Sequence, residues 1–193
     1  MARYVALLRG VNVGGSNIIR MAELKAAFER QGFEHVVTYI NSGNLLFDSE
    51  TTDEAALRAA LEERIAADFG LSVPVFVISA NDLREAVSHA PAWWNDTPDK
   101  STRHETFFVI PPMTAAELFS RVGEINPEIE KAAHCGRVIF WSVQMAAYTR
   151  ARWSRITKDK ALYAAITVRN ANTALKLADI AGGDAGYGQN VRV

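Results

Sequence analysis

The sequence predicts an α+β protein made of two βαββαβ halves, each a mainly antiparallel sheet with helices, plus a linking helix and a C-terminal helix. Three observations carry that reading. Apolar, β-branched and aromatic runs alternate with helical patterns in the order strand, helix, strand, strand, helix, strand, and the order occurs twice in 193 residues. Turn-forming residues separate the second and third strands of each half, Asn41-Ser42-Gly43-Asn44 in one and Gly136 in the other. A composition of 49% hydrophobic and 22% charged residues is ordinary globular material, able to bury a real core.

In the first half, residues 1–80, Tyr4 to Leu8 forms a short strand bounded by Gly10. Leu24, Ala27, Phe28 and Gln31 share one helical face, and Gly32 followed by Phe33 matches a left-handed helix end with an apolar residue after it. Val36 to Ile40 and Leu45 to Phe47 are the next strands. Thr51 and Glu54 read as a capping box opening a helix whose stripe is Leu57, Leu61, Ile65 and Phe69, closed by Gly70-Leu71. Val73 to Ile78 completes the split βαβ, or ferredoxin-like, order.

Residues 81–103 link the halves. A helix from Ser79 to Ala90 turns Leu83, Ala86 and Val87 inward, and a loop from Pro91 to Thr102 carries Trp93, Trp94, Asp96, Pro98 and Asp99. The second half, residues 104–193, repeats the order. Thr106 to Ile110 is a strand stopped by Pro111-Pro112, and Thr114 with Glu117 forms another capping box before Leu118 and Val122. Ile129 to His134 is a strand despite Glu128, Glu130 and Lys131, and Val138 to Trp141 follows it. A helix over Ala151 to Ala165, a strand over Ile166 to Arg169, a helix over Thr173 to Ala181 and a glycine-rich tail from Gly182-Gly183 end the chain. The duplication is architectural, without a residue-level repeat. Neighbouring strand residues such as Phe76 and Val77, or Phe107 and Phe108, are both apolar, so both faces of each sheet must be covered.

Charge and cysteine content narrow the function. Lys plus Arg is 21 and Asp plus Glu is 22, a net charge of −1, so the overall balance argues against nucleic acid as partner. Cys135 is the only cysteine, and His35, His89, His104 and His134 show no metal-ligand spacing. No run of ~18 apolar residues or signal-peptide pattern is present, so no membrane association is expected and the cytoplasm is the default location.

The polar residues gather elsewhere. In a split βαβ unit the end of the first strand and the hairpin after the second lie at one sheet edge. That places Arg9, Asn12, Gly14 and Gly15 beside Asn41, Ser42, Gly43 and Asn44, with the first helix N-terminus aimed at the same edge. Glycines allow close backbone approach and asparagines offer donors and acceptors, which suits a phosphate or carboxylate, with Arg20 adding charge. The same residue types also serve tight turns and caps. The glycine spacing fits neither a P-loop nor a dinucleotide fingerprint. A second cluster is Arg169, Asn170 and Thr173, where Asn170 or Asn172 can cap the last helix. A third is Arg150, Arg152, Arg155, Lys158 and Lys160, opposed only by Asp159, a local charge of +4 that could meet phosphates or simply face solvent. His134 and Cys135, adjacent on a strand, point to opposite faces and make no dyad.

Leu7-Leu8-Arg9-Gly10-Val11-Asn12-Val13-Gly14-Gly15, Met21-Ala22-Glu23-Leu24 and Thr38-Tyr39-Ile40-Asn41-Ser42-Gly43-Asn44 resemble the bacterial family DUF1697. Trp93-Trp94-Asn95-Asp96 and Arg169-Asn170-Ala171-Asn172-Thr173 extend the resemblance, although the family usually carries tryptophan at the position of Ala171. The resemblance implies a two-part α+β fold and brings no activity or cofactor with it. The expectation is therefore a protein that binds a small anionic ligand at the glycine loop and hairpin. Nucleic-acid binding through 150–160 and homodimerisation are the alternatives.

Overall fold

The computed structural model describes residues 1–96 and 100–183; the predicted loop residues Pro98 and Asp99 and most of the glycine-rich tail lie outside them. The described residues divide into two compact units, one of residues 1–84 with 177–183, the other of residues 85–176.

The first unit contains β1 (Ala2–Leu8), α1 (Met21–Arg30), β2 (Glu34–Tyr39), β3 (Asn44–Ser49), α2 (Glu54–Phe69) and β4 (Val75–Ser79), with α3 (Ala80–Ser88) beginning in it. Its sheet has the order β2-β3-β1-β4, every neighbouring pair antiparallel. Tyr4, Ala6 and Leu8 alternate with Val5 and Leu7 along β1. The first set packs with Leu24, Phe28, Leu57, Leu61 and Ile65 of the helices. Each such large side chain contributes roughly 1.5–3 kcal/mol on burial. The second set lies on the opposite face with Leu46, Phe76 and Ile78, and all of these are buried too, so both faces are covered as the strand composition requires.

The end of α1 is a Schellman motif. Gly32 N–H donates to Glu29 O, Phe33 N–H donates to Phe28 O, and Gly32 takes φ +92° while Phe33 packs on the core. The start of α2 differs from the sequence expectation. Asp53, not Thr51, is the N-cap, its Oδ1 accepting from Ala55 N and Ala56 N. Glu54 reaches instead to Ser79 N at 2.8 Å. A carboxylate one residue from the helix answers two orphan donors at once, which Thr51 is too far away to do.

The second unit contains β5 (Thr102–Val109), α4 (Ala115–Val122), β6 (Glu130–Cys135), β7 (Val138–Gln144), α5 (Lys160–Ala164) and β8 (Ile166–Asn170), with the start of α6 (Ala171–Gly182). Its sheet order, β6-β7-β5-β8, is that of the first unit strand for strand. The Thr114–Glu117 capping box forms as expected.

The single helix expected over 151–165 is replaced by two 3-10 segments, Met145–Arg150 and Trp153–Lys158, and the five-residue α5. Side chains divide the stretch. Ser154 donates to Tyr148 O and Ala151 O, and Asp159 caps a new helix at Ala161 and Leu162. Glu130, fully inside, accepts from Arg152 N, Trp153 N and Trp141 Nε1. The charge that interrupts the apolar pattern of β6 is therefore the acceptor that organises this segment.

Candidate functional site

The topology does bring the two predicted bends together. Leu7 pairs with Asn44 across the sheet, and Leu8 N–H donates to Gly43 O at 2.8 Å. Asn12 ties the loop to the hairpin and to the start of α1. Its Nδ2 donates to both Ile19 O (2.9 Å) and Asn41 O (2.8 Å), while its Oδ1 accepts from Ile19 N. Ile19, Arg20 and the hairpin tip thus lie within reach of one side chain.

The carboxamides themselves are committed to the chain. Asn17 Nδ2 donates to Gly10 O, and Asn44, fully buried, donates to Tyr39 O. Of the two readings the sequence left open for Asn12 and Asn44, ligand donors or turn and cap residues, these bonds are of the second kind: the side chains hold the loop and hairpin in shape. Gly14 and Gly15 form the exposed tip, at φ +58° and +78° with open space around them. Gly43 is the tight glycine, buried against Val11 and Leu8. Arg9, half-buried, leaves β1 with its N–H bonded to Pro74 O; Asn41 is exposed and Ser42 half-buried.

What faces outward is backbone and charge. The N-cap of α1, Arg20, makes no side-chain cap, and among the described residues the first donor satisfied at this end is Leu24 N, bonded to Arg20 O. The N–H groups of the preceding turn point out of the helix with its positive dipole end. The Arg20 guanidinium is 82% exposed and pairs with the less exposed Glu23 at 3.1 Å, an ion pair of little energetic weight. Ile40 holds φ +48°, a conformation that strains a β-branched residue, and Val13 and Ile18 expose their side chains.

Arg169, Asn170 and Thr173 belong to the other unit. Asn170 Oδ1 accepts from Thr173 N and so caps α6. Arg169 is buried, its Nη1 donating to Thr167 Oγ1 and Val168 O, and burial pulls its guanidinium down to about 10, still charged at neutral pH. Among the described residues, no three His, Cys, Asp or Glu side chains gather as a metal site would need, and no helix is long and apolar enough to cross a membrane.

The class these features define is a duplicated βαββαβ protein with a hydrogen-bonded polar edge on its first sheet. Within that class the chain belongs to the family described as protein of unknown function DUF1697, whose model matches residues 1–140. It is similar to a conserved bacterial protein from Streptococcus pneumoniae of solved structure, with 29% identity, a TM-score of 0.80 and coverage of 93% of this chain and 98% of that one. A second solved structure, an unknown protein from Galdieria sulphuraria, shares 12% identity over 88% of this chain and 96% of its own at a TM-score of 0.27, too low to carry an argument. No curated protein matches the sequence.

Proposed function

We propose that the edge formed by the β1–α1 loop and the β2–β3 hairpin binds a small anionic ligand, bearing phosphate or carboxylate, through backbone N–H groups and arginine rather than through the asparagine side chains. One observation carries the reading. The N-terminus of α1 has no side-chain cap and is held by Asn12 beside the hairpin, with the Arg20 guanidinium in solvent next to it. Two of the left-handed residues that frame this edge, Asn12 and Asn17, are held by their own side chains, which fixes the loop beside the donors before a ligand arrives. Fixed donors lose little freedom on binding.

A thermal-shift series with inorganic phosphate, nucleotides, sugar phosphates and small carboxylates tests this. A binder at a hundred times its Kd stabilises by about 2.7 kcal/mol, a readable rise in Tm. Ala22 is exposed in the first turn of α1, where proline is tolerated but removes an N–H. The double variant Arg20→Ala, Ala22→Pro should therefore fold and lose the rise. A rise of equal size in the variant, or none in the wild type with any anion, removes the site. Asn44 is unsuitable for this purpose, since its loss would unmake the hairpin.

A second reading rests on the other basic cluster. Arg150, Arg152, Arg155, Lys158 and Lys160 are all exposed, and among the described residues none lies within 4.0 Å of a carboxylate. Their stems rise from a segment anchored by buried Trp153 and Ile156. If this face contacts single-stranded RNA through all five cations, log affinity should fall against log salt with a slope of about −3.5. Replacing Arg150 and Arg155 by alanine should flatten that slope by about 1.4. Affinity indifferent to salt, or none, excludes the reading.

A further inference from the structure

We propose that the second unit carries a nucleophilic serine, Ser142, with His104 as its base, and that the recess beside them takes small carboxylic esters. This is independent of the anion-binding edge, which lies in the other unit. Ser142 sits on β7 directly opposite His104 of β5 and Lys131 of β6, on the sheet face away from the core formed by Trp141 and Val143. The Ser142 Oγ is 2.6 Å from His104 Nδ1. The backbone N–H of Asn95 also donates to Nδ1, at 3.1 Å. A nitrogen that receives an N–H cannot carry its own proton, so the neutral ring is protonated at Nε2 and the serine hydroxyl donates to Nδ1. Nε2 faces Asp96 Oδ1 at 3.9 Å. Chance placement of a serine against an imidazole on adjacent strands is common. Here the tautomer leaves the Nδ1 lone pair, shared with the Asn95 N–H, facing the serine hydroxyl, and the serine lines a cavity.

That cavity, of about 150 Å³, is lined by Ser142, Trp93, Asp96, Thr102 and Lys131, among others. It has one aromatic wall, suited to a short acyl chain, and a cation across from the serine. In the reaction Ser142 Oγ bonds to the acyl carbon and its proton passes to His104 Nδ1. The bond to the ester oxygen then breaks, and the alcohol departs with that proton. Water attacks the acyl-serine, giving its own proton to Nδ1, and the carboxylic acid leaves as Ser142 recovers a proton from the ring. For Nδ1 to take the proton, the Asn95 N–H that shares its lone pair must turn away from it. Asn95 holds φ +61°, so this amide is carried on a left-handed residue next to the serine's partner.

The test is covalent labelling of the full chain by an alkyl fluorophosphonate, read by intact mass and peptide mapping, beside hydrolysis of a p-nitrophenyl ester of short acyl chain. The expected result is one adduct, on Ser142, and turnover that the adduct abolishes. Ser142→Ala should remove both, and His104→Gln should slow labelling at least a hundredfold, each in protein whose circular dichroism matches wild type. A wild-type chain that takes no label on Ser142 at millimolar probe overturns the proposal whether or not the variants fold. Labelling that is as fast in folded His104→Gln overturns it as well.

Discussion

Gly43→Ala is expected to destabilise the first unit by about 3 kcal/mol, more than any other single methyl added to the loop or hairpin. Two physical terms add. At φ +68° an L residue meets its own carbonyl, a strain of roughly 1–2 kcal/mol. The new Cβ would also lie 2.5 Å from Val11 Cγ2 and 2.7 Å from Leu8 Cβ, overlaps that overpack a filled site at a cost of roughly 1–3 kcal/mol. Neither neighbour can yield easily: Leu8 is a central strand residue with its N–H bonded to Gly43 O, and both side chains are buried. Gly14→Ala supplies the control. It has φ +58° with nothing near its Cβ, so it carries the strain without the overlap and should cost about 1 kcal/mol. Urea unfolding of both variants separates the terms. Equal midpoints for the two would mean that loop and hairpin do not close on each other as described. The edge proposed to bind an anion would then lose its geometry along with its stability.

Glu130→Ala should cost about 4 kcal/mol in the second unit. The carboxylate is 2% exposed and accepts from two backbone N–H groups and an indole. Truncation leaves three donors without an acceptor, each worth roughly 1–3 kcal/mol when it stays dry. The sum is reduced because Arg152 is at the surface and its N–H can rehydrate. Glu130→Gln keeps one acceptor oxygen and should lose roughly half as much. The second 3-10 segment starts on this residue, so near-ultraviolet circular dichroism from Trp141 and Trp153 should weaken in Glu130→Ala at temperatures well below its melting point. An unchanged aromatic signal, with an unfolding midpoint within error of wild type, would show that the segment organises itself.

How much of this was legible in the chain varies with the range of the force responsible. Local chemistry reads well. The Gly32-Phe33 helix end, the Thr114–Glu117 box and the turn at Asn41–Asn44 depend on residues within a few positions of each other. Longer-range competition reads poorly. Glu54 looks like the partner of Thr51 until β4 offers it Ser79 N, and Asp53 then takes the cap. The residues from 151 to 165 have helical composition, yet Glu130, from a strand some twenty positions earlier, takes the two N–H groups that start the second 3-10 segment. The candidate edge shows the same division. Its residues and their meeting were readable from motif and topology. The direction of each asparagine was not, because it depends on which carbonyls come within 3 Å once the loop closes. The Ser142–His104 pair left no motif, since its members meet by cross-strand register over 38 positions.

By itself the sequence determined the α+β class, the two βαββαβ halves, both-face burial of their sheets and the family to which the chain belongs. These follow from apolar periodicity and turn chemistry, which act over a few residues and repeat often enough to be read without coordinates. Only the tertiary structure decided which polar groups look outward. A buried donor or acceptor takes whatever partner the fold brings closest, and leaving it unmatched costs more than any local preference can return. So Asn12, Asn44 and Glu130 turned inward to hold the chain, and the backbone of α1 and the arginine at its start were left facing solvent.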